Sequence, residues 1–200
     1  MPKRKLIAAL SLLCPVSADY ATLIREQEVY AFKSIKKHMP MAMPGKDADE
    51  LCFICNGLLK LFRYNDRGEQ HIYDFFTENI FMMLPAEFYD SASNQLYYVT
   101  ALSDCDILSI SRSEMNKLYL KFAESKIHTD RIRSRIELRQ RAHVNLLLSD
   151  PSERYECFLK SSPNVVRLLS DDDLCAYLGI GQRTLTRSKQ VRLNTNKARK

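Results

Sequence analysis

The chain of 200 residues sets 30 Lys and Arg against 24 Asp and Glu, a net charge of +6, with 46% hydrophobic residues. That apolar content excludes a disordered polymer, and no apolar run approaches the ~20 residues of a membrane span, so no membrane partner is expected. The length suits one larger and one smaller domain.

In chain order, residues 6–36 read as helical, in two segments. The opening MPKRKLIAALSLLCPVSA has the basic head, apolar stretch and small-residue end of a secretory leader, and equally the pattern of an amphipathic helix. The helix is preferred, because the carboxyl-terminal segment points to a target inside the cell. Pro15 breaks it, and Ser17 caps a second helix that runs to about Gln27. Residues 39–49, MPMAMPGKDAD, read as a loop. Five β-branched and aromatic runs then predict strands at 51–56, 58–64, 70–76, 96–101 and 106–110. Between two of them, NDRG at 65–68 is a hairpin signal, since Asn, Asp and Gly tolerate turn conformations. Short strands so spaced suggest a jelly roll or a similar β-barrel.

Helix returns at Ser111, where Ser111 and Glu114 form a capping-box pattern ahead of Met115, Leu118 and Phe122. A longer helix is predicted from about 125 to 149. Ile132, Ile136, His143 and Leu146 or Leu147 follow one seam, interrupted by Arg139, which reads either as a dimer contact or as packing against the barrel. Asp150 and Pro151 end it, and a short helix near 152–160 follows.

The most informative stretch is SDDDLCAYLGIGQRTLTRSKQVR, residues 170–192. Ser170 and Asp173 fit a second capping box, and Asp171, Asp172 and Asp173 suit the positive end of a helix dipole. Leu174 and Leu178 give the first helix an apolar stripe, and Gly179 sits where a left-handed residue ends it. A second helix starts near Gln182, with Leu185 and Val191 on a thin apolar side and Arg183, Arg187 and Gln190 on another. From Gln182 to Lys200 there are seven Lys or Arg and no acid. A basic second helix of this kind suits the major groove of DNA. The chain's charge supports that partner: Lys126 to Lys200 holds 16 basic and 8 acidic residues, net +8, and Met1 to Ser125 holds 14 and 16, net −2.

Six cysteines include one C-x-x-C pair, Cys52 and Cys55, inside a strand-like run and without a second pair at zinc-finger spacing. Buried free thiols in a reducing cytoplasm are expected. Glu69 and His71 alternate onto one strand face as two metal ligands do, but the four histidines do not complete a metal-enzyme set, and there is no nucleophile elbow or phosphate-cradling glycine loop. No enzyme, metal or cofactor is expected.

Four segments, in order along nearly the whole chain, resemble the Crp/Fnr superfamily of bacterial transcription regulators. They are GKDADELCFICNG (45–57), LLKLFRYNDRGEQHIYDFF (58–76), ALSDCDILSISRSEM (101–115) and DLCAYLGIGQRTLTR (173–187). The resemblance implies an α+β fold: N-terminal helices and a jelly-roll effector barrel of the cyclic-nucleotide-binding type (1–124), a long connecting and dimerisation helix (125–149), and a C-terminal, winged helix–turn–helix domain (150–200). It implies a cytoplasmic homodimer on double-stranded DNA, at a pseudo-palindromic operator with half-sites ~34 Å apart, where a shift in the barrel re-aims the two reading heads through the long helix. The rival is a ligand-binding barrel whose basic tail contacts proteins.

Two departures from the family stand out. Cyclic-nucleotide sensors in the family hold the phosphate with a Gly-Glu turn and a nearby arginine; here the comparable turn is Phe81-Met82-Met83. No Lys or Arg occurs from Gly68 to Ser111, across 44 residues with seven acids, and a buried phosphate without a cation would lose several kcal/mol of solvation. The effector is therefore not expected to be cAMP. Phe81, Met82, Met83, Tyr97 and Tyr98 read as a candidate pocket for an apolar effector, or simply as core. In the reading helix, the place of a cytosine-accepting acid is taken by Arg183, preceded by Gln182; arginine donates to guanine. Arg187 matches the family's retained arginine and is the best base-reading candidate, while Thr184, Ser188 and Lys189 reach phosphates. Ser188 also replaces an apolar residue that pins the helix, which predicts a loosely packed head.

Overall fold

The computed structural model describes residues 1–46, 48–90 and 93–198. Two helices open the chain, α1 (Pro2–Ser11) and α2 (Ala18–Glu26). Ser17 caps α2 as predicted, accepting from the Tyr20 amide at 3.2 Å. Leu6 and Leu10 of α1 are fully buried. Eight strands follow among the described residues: β1 (Ala31–Ile35), β2 (Pro40–Ala42), β3 (Glu50–Asn56), β4 (Leu58–Tyr64), β5 (Gln70–Thr77), β6 (Phe81–Met82), β7 (Tyr98–Ala101) and β8 (Cys105–Ser111), with a short α3 (Pro85–Asp90) between β6 and β7. They form two four-stranded sheets, ordered β1-β8-β3-β6 and β2-β7-β4-β5, the jelly roll expected.

Two expectations fail at the front of the barrel. Residues 31–35, read as helix, form β1, which pairs antiparallel with β8 from Ala31↔Ser109 to Ile35↔Cys105. The pairing is the cause: Ala-Phe-Lys-Ser-Ile has no strong local preference, and β8 supplies the ladder from 70 residues downstream. Lys33 on β1 also bonds both oxygens of Glu50 on β3, at 2.7 and 2.6 Å. Inside the predicted loop, Pro40 opens β2, an edge strand, and the first residue of such a strand is a position where a missing N–H is harmless.

Turn chemistry was legible. Asn65 Oδ1 accepts from the Arg67 and Glu69 amides at 3.0 and 2.9 Å, and the Gly68 amide donates to Asn65 O at 2.9 Å, closing the β4–β5 hairpin. Ser111 accepts from the Glu114 amide at 3.3 Å and starts α4 (Arg112–Lys121). The long helix α5 spans Ala123–Leu148, and α6 (Arg154–Ser161), α7 (Pro163–Val166), α8 (Asp171–Leu178) and α9 (Gln182–Ala198) complete the chain. Among the described residues no strand follows α9, so the wing implied by the family resemblance does not occur there.

The chain forms two compact units, one of Met1–Leu61 with Phe75–Glu137, the other of Phe62–Asp74 with the described residues from Leu138 onward. The first is built on a core of Leu6, Leu10, Ile24, Phe53, Met83, Phe88, Leu108, Met115, Leu118, Ile132 and Ile136. Of the seam read along α5, Ile132, Ile136 and His143 are buried within the single chain. They are therefore spent on internal packing, and a dimer would need another face of the helix. The thiols differ too: all six are free, but only Cys52, Cys55 and Cys105 are buried, whereas Cys157 is exposed.

His128 on α5 is 2% exposed, with Nε2 at 2.9 Å from the Cys14 carbonyl. A carbonyl only accepts, so Nε2 carries the proton, and Nδ1 is left buried without a partner. Burial lowers the His128 pKa below its usual 6.5. The unfolded chain thus takes up a proton as pH falls through about 6.5, the folded chain only at lower pH, and stability drops on acidification by at most ~1.4 kcal/mol per pH unit for this group. The melting temperature should fall between about pH 7.5 and 5.5, and fall less in His128→Leu; an equal fall in both would assign the acid sensitivity elsewhere.

Candidate nucleic-acid interface

The candidate reading head is built from the Ser170 cap upward. Ser170 Oγ accepts from the Asp173 amide at 3.1 Å, and α8 follows with Asp171, Asp172 and Asp173 in its first turn. Leu174, Tyr177 and Leu178 are buried. Gly179 is left-handed (φ 59°, ψ 41°), and the amides of Gly179 and Ile180 both return to the Cys175 carbonyl, so the helix ends where predicted. After Gly181, α9 begins at Gln182 and buries Leu185 completely.

The six predicted contact residues lie on or beside the outer face of α9. Gln182, Arg183 and Arg187 are exposed, and Thr184, Ser188 and Lys189 are half-buried. Arg183 and Arg187, one helical turn apart, have no carboxylate partner among the described residues. The others are more engaged. Gln182 Nε2 donates to Asp172 at 2.7 Å, Lys189 pairs with Asp171, and Arg192 reaches Glu156 at 3.4 Å. The acids of α8 thus offset part of the charge counted along α9, and among the described residues Arg183 and Arg187 are the α9 cations left without a carboxylate. Ser188, where an apolar pin was missing, donates to the Ser152 carbonyl at 3.0 Å, so a hydrogen bond holds the helix at that point. Val191, read as part of the apolar side, is 59% exposed. Arg199 and Lys200, two of the seven cations, lie outside the described residues.

Of the candidate effector residues, Phe81, Met82 and Met83 are buried, Phe81 and Met82 opposite Phe53 and Cys52 of β3, with the Phe81 and Phe53 rings 5.0 Å apart. Tyr97 and Tyr98 are half-buried. No group of three or more metal-binding side chains converges among the described residues; Glu69 and His71 instead share a hydrogen-bond partner in Asn65.

Residues 32–122, from β1 to the end of α4, match the family model of the cyclic nucleotide-binding domain. Solved structures similar to the chain include FixK2 from Bradyrhizobium japonicum, at TM-score 0.71 and 18% identity over 84% of this chain and 86% of that one. CLP of Xanthomonas campestris, described as a c-di-GMP responsive global regulator, matches at TM-score 0.66 and 15% identity over 87% and 92%. A transcriptional regulator of the crp/fnr family from Eubacterium rectale matches at TM-score 0.68 and 14% identity over 88% and 83%. No curated protein matches the chain. The chain has the Crp/Fnr fold, built on a cyclic nucleotide-binding domain.

Within this Crp/Fnr fold, sequence reasoning overlooked the residues that hold the head in place. Arg154, at the start of α6, donates from Nε to the Ser149 carbonyl at 3.1 Å and from Nη1 to Leu178 and Gly179 carbonyls at 2.9 and 3.1 Å. One guanidinium so caps both the end of α5 and the turn of the helix–turn–helix. Nothing local in the sequence marks it, since its acceptors lie up to 25 residues away. His143, read as a seam residue, stacks on Tyr177 at 4.0 Å and 2°, and Tyr177 meets Phe158 at 4.6 Å. Burial raises the Tyr177 pKa well above the usual phenol value, so its hydroxyl stays neutral. Arg139, which breaks the seam, does so because it pairs with buried Asp74 at 2.6 Å.

Proposed function

We propose that the chain is a DNA-binding transcriptional regulator of the Crp/Fnr type, a homodimer on a pseudo-palindromic operator whose barrel no longer holds a cyclic nucleotide by the family's anion clamp. The observation that carries this is the pair Arg183 and Arg187, exposed and free of carboxylates, on a helix anchored from behind by fully buried Leu185. Two exposed guanidiniums one turn apart suit bidentate donation to guanine in the major groove, each contact discriminating by roughly 1–3 kcal/mol. The division of labour follows chain order: barrel and N-terminal helices to 124, connecting helix 125–149, head from 150 on. A target on chromosomal DNA places the protein in the cytoplasm, and any small-molecule effector is not an anionic nucleotide, for want of a cation between Gly68 and Ser111.

A gel-shift salt series against a selected operator tests the assignment. Arg187→Ala and Arg183→Ala should each lose about 10-fold or more in discrimination between operator and random DNA, whereas a phosphate contact would lose affinity uniformly with a shallower salt slope. Protein that ignores DNA at low salt but retains a small molecule would favour the rival, a barrel sensor whose tail contacts proteins.

Dimerisation has a separate test. Because Ile132, Ile136 and His143 face inward, the face left for a second copy carries Ile127, Leu138 and Leu148, which share one stripe on the opposite side of α5 and are exposed, Leu138 by 62%. Leu138→Glu should convert dimer to monomer in sedimentation at micromolar protein; a variant that stays dimeric would place the interface elsewhere.

A further inference from the structure

We propose that Asp172 is a positioning residue for Gln182, and that the pair gives the chain a reader of adenine alongside the guanine readers Arg183 and Arg187; the inference deepens the DNA-binding reading of α8 and α9 and rests on it. The three acids in the first turn of α8 take three different partners. Asp173 accepts from the Ser170 hydroxyl at 2.8 Å and so belongs to the cap, while Asp171 pairs with Lys189. Asp172 accepts from Gln182 Nε2 at 2.7 Å, across ten residues of sequence. Gln182 is the first residue of α9 and is exposed. Its carbonyl accepts from the Thr186 hydroxyl at 2.9 Å, and Leu185 is fully buried behind it. The helix therefore fixes the Gln182 backbone, and Asp172 fixes what the helix leaves free, the side chain.

The chemistry of the two groups decides what is left to read with. A carboxylate only accepts, so it faces the amide nitrogen and never the oxygen, and this sets which way round the amide sits. A glutamine amide has two N–H donors and one oxygen. Asp172 takes one donor; the other donor and Oε1 have no partner among the described residues. One donor and one acceptor on a planar group complement adenine, which shows N7 as acceptor and N6–H as donor in the major groove. Guanine shows two acceptors there and suits the arginines instead. An amide oriented in advance loses less freedom on binding, so the choice of base sharpens. The same carboxylate repels phosphates, which weakens binding to all DNA alike. Asp172 thus acts on affinity and on base preference with opposite signs, a signature that a merely structural residue does not have.

The test is selection of binding sites from a random DNA pool by the full-length protein, followed by gel shifts on every single-base variant of the selected half-site. Wild type should prefer adenine at one position by about tenfold, and Gln182→Ala should lose that preference and no other. Asp172→Ala should bind every sequence about two- to fivefold tighter at low salt, and less so at high salt, yet cut the adenine preference to about threefold or below. Asp172→Asn, which drops the charge and keeps an acceptor for Nε2, should bind tighter and retain the preference. Asp172 and Gln182 are both exposed, so these variants leave the core intact. A uniform fall in affinity for Asp172→Ala overturns the proposal, because the acid then serves only the fold of the head. Tighter binding with the adenine preference intact overturns it as well, as does an unchanged base profile in Gln182→Ala. The parent reading fails in a different way. A pool that yields no sequence above random removes DNA binding and this inference together. Guanine preferences that vanish in Arg183→Ala and Arg187→Ala, without an adenine preference through Gln182, keep the first and remove only the second.

Discussion

Gly57→Ala should lower the melting temperature of the barrel unit by roughly 10 °C, the largest loss among the five glycines. Gly57 joins β3 to β4 with φ +98°, a conformation that costs a side-chain residue about 1–3 kcal/mol. A Cβ there would also lie 2.6 Å from the Asp104 carbonyl oxygen, 2.5 Å from the Cys105 sulphur and 2.8 Å from the Cys105 Cα. Two of these are backbone atoms of the turn into β8, held by the Leu58 amide on Ser103 Oγ at 3.0 Å and by the Leu102 amide on the Leu58 carbonyl at 2.8 Å. They cannot retreat without breaking that turn, so overpacking adds about 1–3 kcal/mol. At about 2–4 °C per kcal/mol for a chain of this size, the sum reaches the stated shift. Gly68→Ala is the control: its φ is +75°, but nothing lies within 4 Å of the added methyl, so only the conformational part is lost. Thermal unfolding of the two variants side by side decides whether φ or contact dominates, and equal shifts would refute the clash.

Arg154→Ala should cost roughly 2–3 kcal/mol of head stability and about tenfold or more in operator affinity, although the residue lies off the predicted contact face. Its guanidinium serves three carbonyls, those of Ser149, Leu178 and Gly179, at 2.9 to 3.1 Å. Removing a charged donor forfeits hydrogen bonds worth about 1.5–3 kcal/mol. The loss falls on the Gly179 turn, which sets the angle between α8 and α9 and hence the aim of Arg183 and Arg187. A tenfold affinity change is 1.4 kcal/mol, within what a loosened turn forfeits. Arg154→Lys should recover only part, because an ammonium on a flexible stem does not reproduce a planar fork serving three acceptors. Calorimetry and gel shifts on the same samples check both halves; a variant with normal affinity would show that the turn holds its angle without Arg154.

The readability of each element followed the range of the interactions that make it. The caps at Ser17, Ser111 and Ser170, the Asn65–Gly68 turn and the Gly179 stop all use partners within four residues, and each forms as read. Strands with their own aromatic and β-branched content, β3, β4 and β5, were legible for the same reason. β1 was not, because Ala-Phe-Lys-Ser-Ile becomes a strand only against β8. Nor was the fate of the α5 seam: the 3.6-residue period shows that one face is apolar and is silent on whether a second chain or the same chain covers it. Here Ile132, Ile136 and His143 are covered from within.

For the candidate site, the sequence by itself determined the two-helix head, the Gly179 turn between them and the basic face that carries Arg183 and Arg187, because helix period and capping are local properties of the backbone. Only the tertiary structure decided which cations stay free and what holds the head. Asp171 takes Lys189 across the α8–α9 turn, Ser152 pins Ser188, and Arg154, Asp74 and Arg139 join segments far apart along the chain. The reason is physical: a charge is neutralised, and a carbonyl satisfied, by whichever group the fold brings within about 3 Å, and that distance is a property of packing rather than of order along the chain.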